Sequence, residues 1–498
     1  MKNGLIMALC SLLIRSLSMM FRVWLTGMVG TEVLGIYQLI LTVYAFFLLI
    51  STSGISVTAT RLVGDYLAKG EAGKAKYTAS KLIGFSSAVG LVLAVVLFFS
   101  AELLSCAVTD IGRSAAPLRI LAISLPFAAF SAAVRGYFTA KRKMLRISGE
   151  QILEQVSEIG VCVFAFTYLT PKGFDPLCAA ALGTTAAEIL SFFYSFGIYF
   201  FDMIRIKDKS KPETSLLRSA LPIALPCTAS SGLRSALAAA ENMLIPVGLM
   251  KYGAQRGTAL SEYGIISGMA MPVIVFPSVF ILPFASLIIT EMSQADTLGH
   301  KNGIRHISQR MISATLKYSL PVMFLFIFFA NEIGSVLYNN SSAGFYIAAL
   351  APVVPLMYLD SSVDGMLKGL NQQTSYLLYN VIDSVLRVIM TYFLLPVFGT
   401  PGVVFIIIFS ELFNTFLSLM KLIKVTKLKI NIFDMVLRPC ISILIPCLIL
   451  NCIPSVLPEN TGLLLRLFIC IMIYLPLCTG ICIGTSKKVR IQKTNSES

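Results

Sequence analysis

The sequence predicts an all-α polytopic membrane protein of about fourteen transmembrane helices, arranged as two six-helix lobes around a central cavity plus two C-terminal helices. Three observations predict this. The 498 residues are 56% hydrophobic and only 13% charged, with a mean hydropathy of +0.81, far above a soluble globular chain. Apolar runs of about 20 residues or more recur along the whole length, as helices spanning a ~30 Å hydrocarbon core require, and the short alternating segments of a barrel are missing. Basic residues alternate between successive loops, the signature of regular membrane crossing.

The first run, Gly4 to Met28, is longer than the ~7–15 apolar residues of a signal-peptide core, so it is expected to remain as span one. The next five are Gly35 to Val63, Ser80 to Ser100, Leu118 to Thr139, Glu150 to Leu169 and Leu177 to Phe201. Residues 203–218 form a polar linker containing Pro212, between an N-lobe (1–202) and a C-lobe (219–424). Spans seven to twelve are Ala220 to Leu249, Tyr263 to Thr290, Met311 to Leu337, Phe345 to Leu367, Tyr376 to Pro396 and Gly402 to Lys421. Spans thirteen and fourteen, Phe433 to Cys452 and Leu463 to Gly484, fall within 425–486, and 487–498 is a basic tail.

A faint repeat supports two lobes. Leu34-Gly35-Ile36-Tyr37 opens span two and Tyr263-Gly264-Ile265-Ile266 opens span eight. Six spans separate them, which gives both copies the same orientation and relates them by a pseudo-two-fold axis along the membrane normal.

One set of alternate loops carries Arg61, Lys69, Lys74 and Lys76, then Lys141, Arg142, Lys143 and Arg146, then Arg205 to Lys211, Lys301, Arg305 and Arg310, Lys368, and Lys424 to Lys429. The other set holds mainly Arg113, Lys172, Lys251 and Arg256. Both termini are therefore expected in the cytoplasm, with the chain in the cytoplasmic membrane. The formal charge of +15 is read as loops facing anionic membrane lipids, not as nucleic-acid binding.

Eleven cysteines lie mostly in apolar spans with no C-x-x-C pair, so no disulfide framework is expected. The sequence implies no metal or cofactor. It has no G-x-S-x-G, H-E-x-x-H or Walker motif, so it reads as a non-enzyme that does not itself hydrolyse ATP. Prolines at 222 and 226, at 272, 277 and 283, and at 352 and 355 are expected to bend spans seven, eight and ten.

Charges inside spans are costly and mark function or pairing. Arg15 and Arg22 sit about two turns apart on one face of span one. Arg234 and Glu241 repeat that spacing on span seven. These four are the candidate substrate-binding residues. An excess of fixed guanidinium charge suits a polyanion, because guanidinium binds phosphate oxygens through paired hydrogen bonds, whereas a drug-cation exporter is expected to show the reverse. Asp383 and Arg387 have the spacing of a local ion pair, while Glu188 and Glu411 are uncompensated acids; these four are candidates for ion coupling or structural pairing. Arg135, near the cytoplasmic end of span four, is expected to snorkel outward.

Several motifs resemble one family. Arg15, Arg22 and a G-x-E-x-x-G-x-Y run (Gly30, Glu32, Gly35, Tyr37) lead into Ser53-Gly54-Ile55 and Ala59-Thr60-Arg61-Leu62-Val63. ISLPFAAFSAAVRGYF follows from Ile123, then Glu150-Gln151-Ile152-Leu153-Glu154-Gln155. Ala220-Leu221-Pro222-Ile223, Leu244-Ile245-Pro246, the run Tyr263 to Ala270 and Phe276-Pro277-Ser278 complete the set. The chain resembles the stage V sporulation protein B group of polysaccharide and peptidoglycan-precursor flippases, in the multidrug/oligosaccharidyl-lipid/polysaccharide exporter superfamily. The resemblance implies a V-shaped pair of lobes and transport of a lipid-linked saccharide diphosphate. Arg15 falls where lipid II flippases have a substrate-binding basic residue. Their second arginine aligns one residue from Arg22, and span eight here has no arginine to match theirs. The leading expectation is a flippase for a polyprenyl-diphosphate-linked sugar, with cell-wall synthesis enzymes as partners. A cation-coupled multidrug antiporter and a non-transporting scaffold for wall synthesis are the alternatives.

Overall fold

A computed structural model describes residues 2–109, 114–206, 208, 210, 216–428 and 440. Every regular element among them is helical, as hydrocarbon demands of a backbone that must satisfy its own N–H and C=O groups. The chain forms two compact units, one ending at Gly264 and the other beginning at Ile265.

In the first unit, α1 (Lys2–Ala68) has 67 residues. At 1.5 Å per residue it is about three times longer than the hydrocarbon core is thick, so it must supply two spans. It breaks at Gly30, where φ is 76° and ψ 174°, a conformation open to glycine and strained for any side chain. That break lies between predicted spans one and two. Next come α2 (Ala72–Thr109), α3 (Ala115–Ala140) and α4 (Met144–Phe164). A π-helical segment, Ala165–Leu169, and a 3₁₀ turn, Thr170–Lys172, finish the fifth span. Asp175 then caps α5 (Pro176–Ile204) by accepting from the Leu177 N–H, with Pro176 at the first helical position, where its missing N–H is harmless. The unit closes with α6 (Leu216–Tyr252) and α7 (Arg256–Gly264).

Large apolar residues such as Phe99, Leu103, Phe193 and Phe201 are exposed, as lipid-facing positions should be. Between helices the chain uses small residues instead. Ala128, Ala129, Ser131, Ala132, Ala133 and Gly136 of α3 are all buried, which lets backbones approach closely where lipid provides no hydrophobic drive. One close backbone approach joins α1 to α7. A methyl group added at Gly264 would sit 2.8 Å from the Gly35 nitrogen, and beside this crossing Ser261 donates to the Thr31 hydroxyl at 2.6 Å.

The second unit opens with a π-helical Ile265–Ala270, then α8 (Met271–Val275), a 3₁₀ segment Phe276–Phe280 and α9 (Leu282–Thr297). Span eight is thus broken at Pro272 and Pro277, as the sequence predicts. After α10 (Lys301–Phe328) and α11 (Ala330–Tyr338), α12 (Ser341–Leu350) and α13 (Val353–Gly369) form one span bent by 54° next to Pro352. The last described helix, α14 (Gln373–Thr426), breaks at Gly399 between Pro396 and Pro401, so predicted spans eleven and twelve occupy its two halves.

Predicted spans one to twelve therefore all fall on helices. Spans thirteen and fourteen and the tail lie, but for Cys440, outside the described residues. The α1–α7 crossing yields a test. Gly264→Leu overpacks a backbone contact and is expected to destabilise by roughly 1–3 kcal/mol. Gly84→Ala, with nothing near the added methyl, should leave the melting temperature of the purified protein unchanged or slightly raised.

Candidate functional site

The four substrate-binding candidates all lie in the first unit. Arg15 and Arg22 project from the first half of α1 and both are exposed. Neither guanidinium makes a hydrogen bond or ion pair among the described residues; at Arg22 only the backbone carbonyl is engaged, accepting from Thr26 Oγ1 at 2.8 Å. Arg234 on α6 is also exposed, with no such bond among the described residues. Glu241, two turns further along, is buried at 5% exposure and is engaged by a partner. The acid and the arginine of that spaced pair therefore occupy opposite environments. The second half of α1 packs on α6, where Gly54 meets Thr228 and Gly232 meets Ile50, and Asn242 Nδ2 lies 3.5 Å from Thr42 Oγ1.

Arg135 behaves differently from the expectation of snorkelling. It turns inward and donates to Glu150 Oε1 at 3.1 Å and to Glu154 Oε2 at 3.5 Å. Glu150, Glu154 and Glu158 recur every four residues and so line one face of α4. Ser191 Oγ of α5 donates to Glu150 at 3.2 Å. Thr184 Oγ1 donates to Glu158 at 3.1 Å, and Gln155 Nε2 donates to it at 3.3 Å. Gln155 in turn accepts from Ser18 Oγ of α1, which stands between Arg15 and Arg22. Glu188 of α5 is 7% exposed, and its Oε2 has no hydrogen-bond partner among the described residues. It lies within electrostatic range of Glu154, Arg135, Glu150 and Glu158.

At the loop end of this unit, Asp202 gathers Tyr137 OH at 2.7 Å, Lys143 at 2.6 Å, Arg146 at 3.1 Å and Lys141. The backbone N–H groups of Ser210 and Gly73 hold the exposed Asp208 carboxyl below the usual aspartate range, tying the following loop to the start of α2.

In the second unit, Ser410 Oγ donates to the buried Asp383 at 2.6 Å and Asn414 Nδ2 donates to Asp360 at 3.1 Å. Arg387 and Glu411 are both engaged. A separate cavity of about 480 Å³ is lined by Phe280, Ile288, His306, Arg310, Met311 and Tyr318; none of the candidate arginines of the first unit touches it.

Residues 1–295 match a family model described as "Polysaccharide biosynthesis protein". The chain belongs to that family. It is 24% identical over 442 residues to the stage V sporulation protein B of Bacillus subtilis (strain 168), covering 87% of this chain and 85% of the relative. Among solved structures, the lipid II flippase MurJ in an inward closed conformation superposes with a TM-score of 0.72 at 15% identity, over 95% of this chain and 98% of that one. An inward-facing multidrug resistance MATE transporter of the MOP superfamily gives 0.67 at 15% identity, over 84% and 98%. The fold is that of MOP-superfamily membrane transporters.

Within this polysaccharide-biosynthesis chain, the reading of charges missed Glu154 and Glu158, which lie inside predicted span five. The signal was present as E-x-x-x-E-x-x-x-E, a four-residue acidic period inside an apolar run. The Arg135 contacts give a test. Arg135→Ala leaves the buried Glu150 without its ion-pair partner and is expected to cost roughly 3–5 kcal/mol of stability. The double variant Arg135→Ala/Glu150→Gln should recover part of the loss in thermal unfolding, because the more deeply buried of the two carboxylates that Arg135 pairs is then neutral while Glu154 still lacks its partner.

Proposed function

We propose that this protein translocates a polyprenyl-diphosphate-linked saccharide, a peptidoglycan precursor or polysaccharide unit, across the cytoplasmic membrane by alternating access. One observation carries the reading. Arg15, Arg22 and Arg234 stand exposed on two membrane helices without a hydrogen bond or ion pair among the described residues, while Arg135 is held by carboxylates. A guanidinium cannot rest in hydrocarbon at mid-span without a cost of roughly 2.5–3.5 kcal/mol or more, so it faces water or an anion. A diphosphate presents several oxygens to which guanidinium groups donate in pairs, and a saccharide coupled to it suits a polysaccharide-biosynthesis family.

Two further points support the reading. The name of the structurally similar lipid II flippase matches a substrate built on a lipid carrier. In this proposal both termini face the cytoplasm, where the basic loops meet anionic lipid. Arg15 is the principal diphosphate ligand, Arg234 joins it from α6, and Arg22 lies toward the outer end of its span.

Reconstituted vesicles carrying labelled lipid-linked precursor test this directly. Wild-type protein should expose the precursor on the far leaflet. Arg15→Ala and Arg234→Ala should insert normally and slow translocation about tenfold or more, the loss of one charge-assisted hydrogen-bond pair. Wild-type vesicles that behave like empty ones, or both variants working at the wild-type rate, would sink the proposal.

A further inference from the structure

The carboxylates on α4 and α5 are not explained by substrate binding. Glu150, Glu154, Glu158 and Glu188 come together inside the first unit. Arg135 is the cation that pairs with them, and Arg22 of α1 lies within electrostatic range of Glu158. Four acids thus face two guanidinium groups, in a place where an uncompensated charge is expensive. Glu188 sharpens the imbalance, because it is more than nine-tenths buried and its Oε2 has no hydrogen-bond donor among the described residues. Some cation must balance the set. Among the described residues no group of three or more His, Cys, Asp or Glu is placed to hold a metal ion. The ligand that needs no such convergence is the proton.

We infer that the α4 acid ladder and Glu188 form a proton-binding site, whose loading state is transmitted to α1 through Ser18–Gln155 and Arg22–Glu158. The site runs along the helix axis. Glu150 is nearest the loop end, with Arg135 and Ser191 on it; Glu154 shares Arg135; Glu158 meets Thr184, whose hydroxyl lies 3.4 Å from Tyr37 OH. A chain of carboxyl and hydroxyl groups of this kind is how membrane helices carry protons. Every packed element contributes. Arg22, Tyr37 and Tyr44 face the ladder from α1, Arg135 from α3, Cys162 from further along α4 and Glu188 from α5.

Charge on Glu158 attracts Arg22, and protonation of Glu158 releases that attraction. The same α1 segment carries Arg15 and Arg22, so the protons and the proposed diphosphate act on one helix. That last link rests on the flippase reading. Proton binding itself does not, and it is measured without substrate, so either can fail alone.

The chain contains a single tryptophan, and it is well placed as a reporter. Trp24 stacks on Phe21 with ring centroids 6.0 Å apart and meets Phe166, just beyond α4, edge-on at 5.6 Å. The test is a titration of Trp24 emission across about pH 5 to 9 in nanodiscs, in potassium and in sodium buffers of equal ionic strength. A sigmoidal transition that is the same in both salts is expected. Glu188→Gln and Glu158→Gln, which mimic the protonated acid, should shift its midpoint by about one pH unit or abolish it. The second measurement needs no variant: the infrared C=O stretch of a protonated carboxylic acid should be present in the wild-type protein at low pH and decline along the same curve. A wild-type emission flat with pH, a transition that moves with sodium concentration, variant curves that overlay the wild type, or no protonated-carboxyl band at any pH would each overturn the inference.

Discussion

A guanidinium or carboxylate inside a membrane span must find a partner of opposite charge, a proton or water, and most of this architecture follows from how each one is satisfied. Arg135 is satisfied by Glu150 and Glu154 on the helix that follows it. Asp202 is satisfied at the loop end by Tyr137, Lys143 and Arg146. These pairings engage the charged groups that make them and tie α3, α4 and α5 together. Arg15, Arg22 and Arg234 make no hydrogen bond or ion pair among the described residues, although Arg22 lies within electrostatic range of Glu158, and that difference makes them candidates for a ligand and Arg135 a positioning residue.

Helices α3, α4 and α5 are joined to α1 by weak polar contacts and small side chains. Ser18 reaches Gln155, Tyr37 approaches Thr184, and Gly35 and Gly264 bring α1 and α7 into backbone contact. Large side chains also cross this interface, with Trp24 against Phe166 and Tyr44 bonded to Ser124, while the small residues let the backbones approach closely. Glycine breaks at Gly30 and Gly399 divide the two longest helical runs near their middles, and prolines 272 and 277 break span eight.

Much of this was legible in the sequence, because hydropathy and loop charge report on the membrane and owe nothing to tertiary contacts. The positions of the first twelve spans and the breaks of spans eight and ten at their prolines came from that source, whereas Pro222 and Pro226 of span seven lie inside the uninterrupted α6. Pairing did not. Arg135 was expected to reach outward because its nearest polar neighbours in sequence are the cytoplasmic lysines; its partners lie 15 and 19 residues away on the next helix. Glu154 and Glu158 were overlooked because span five begins with a polar stretch that reads as a loop edge. Folding turns that edge toward α3 and α5, where Glu150 is buried and Glu154 and Glu158 are half-buried. Glu241 shows the same limit: spacing placed it with Arg234, and burial separates the two.

The central claim is that the unpaired arginines recognise a diphosphate on a lipid. Its most direct measurement is the affinity of the purified protein for a short-chain prenyl diphosphate set against the corresponding prenyl alcohol, in wild-type protein and in Arg15→Ala. The account predicts that the wild type prefers the diphosphate by about tenfold or more and that Arg15→Ala loses most of that preference. Equal affinity for the diphosphate and the uncharged alcohol in the wild type would contradict it.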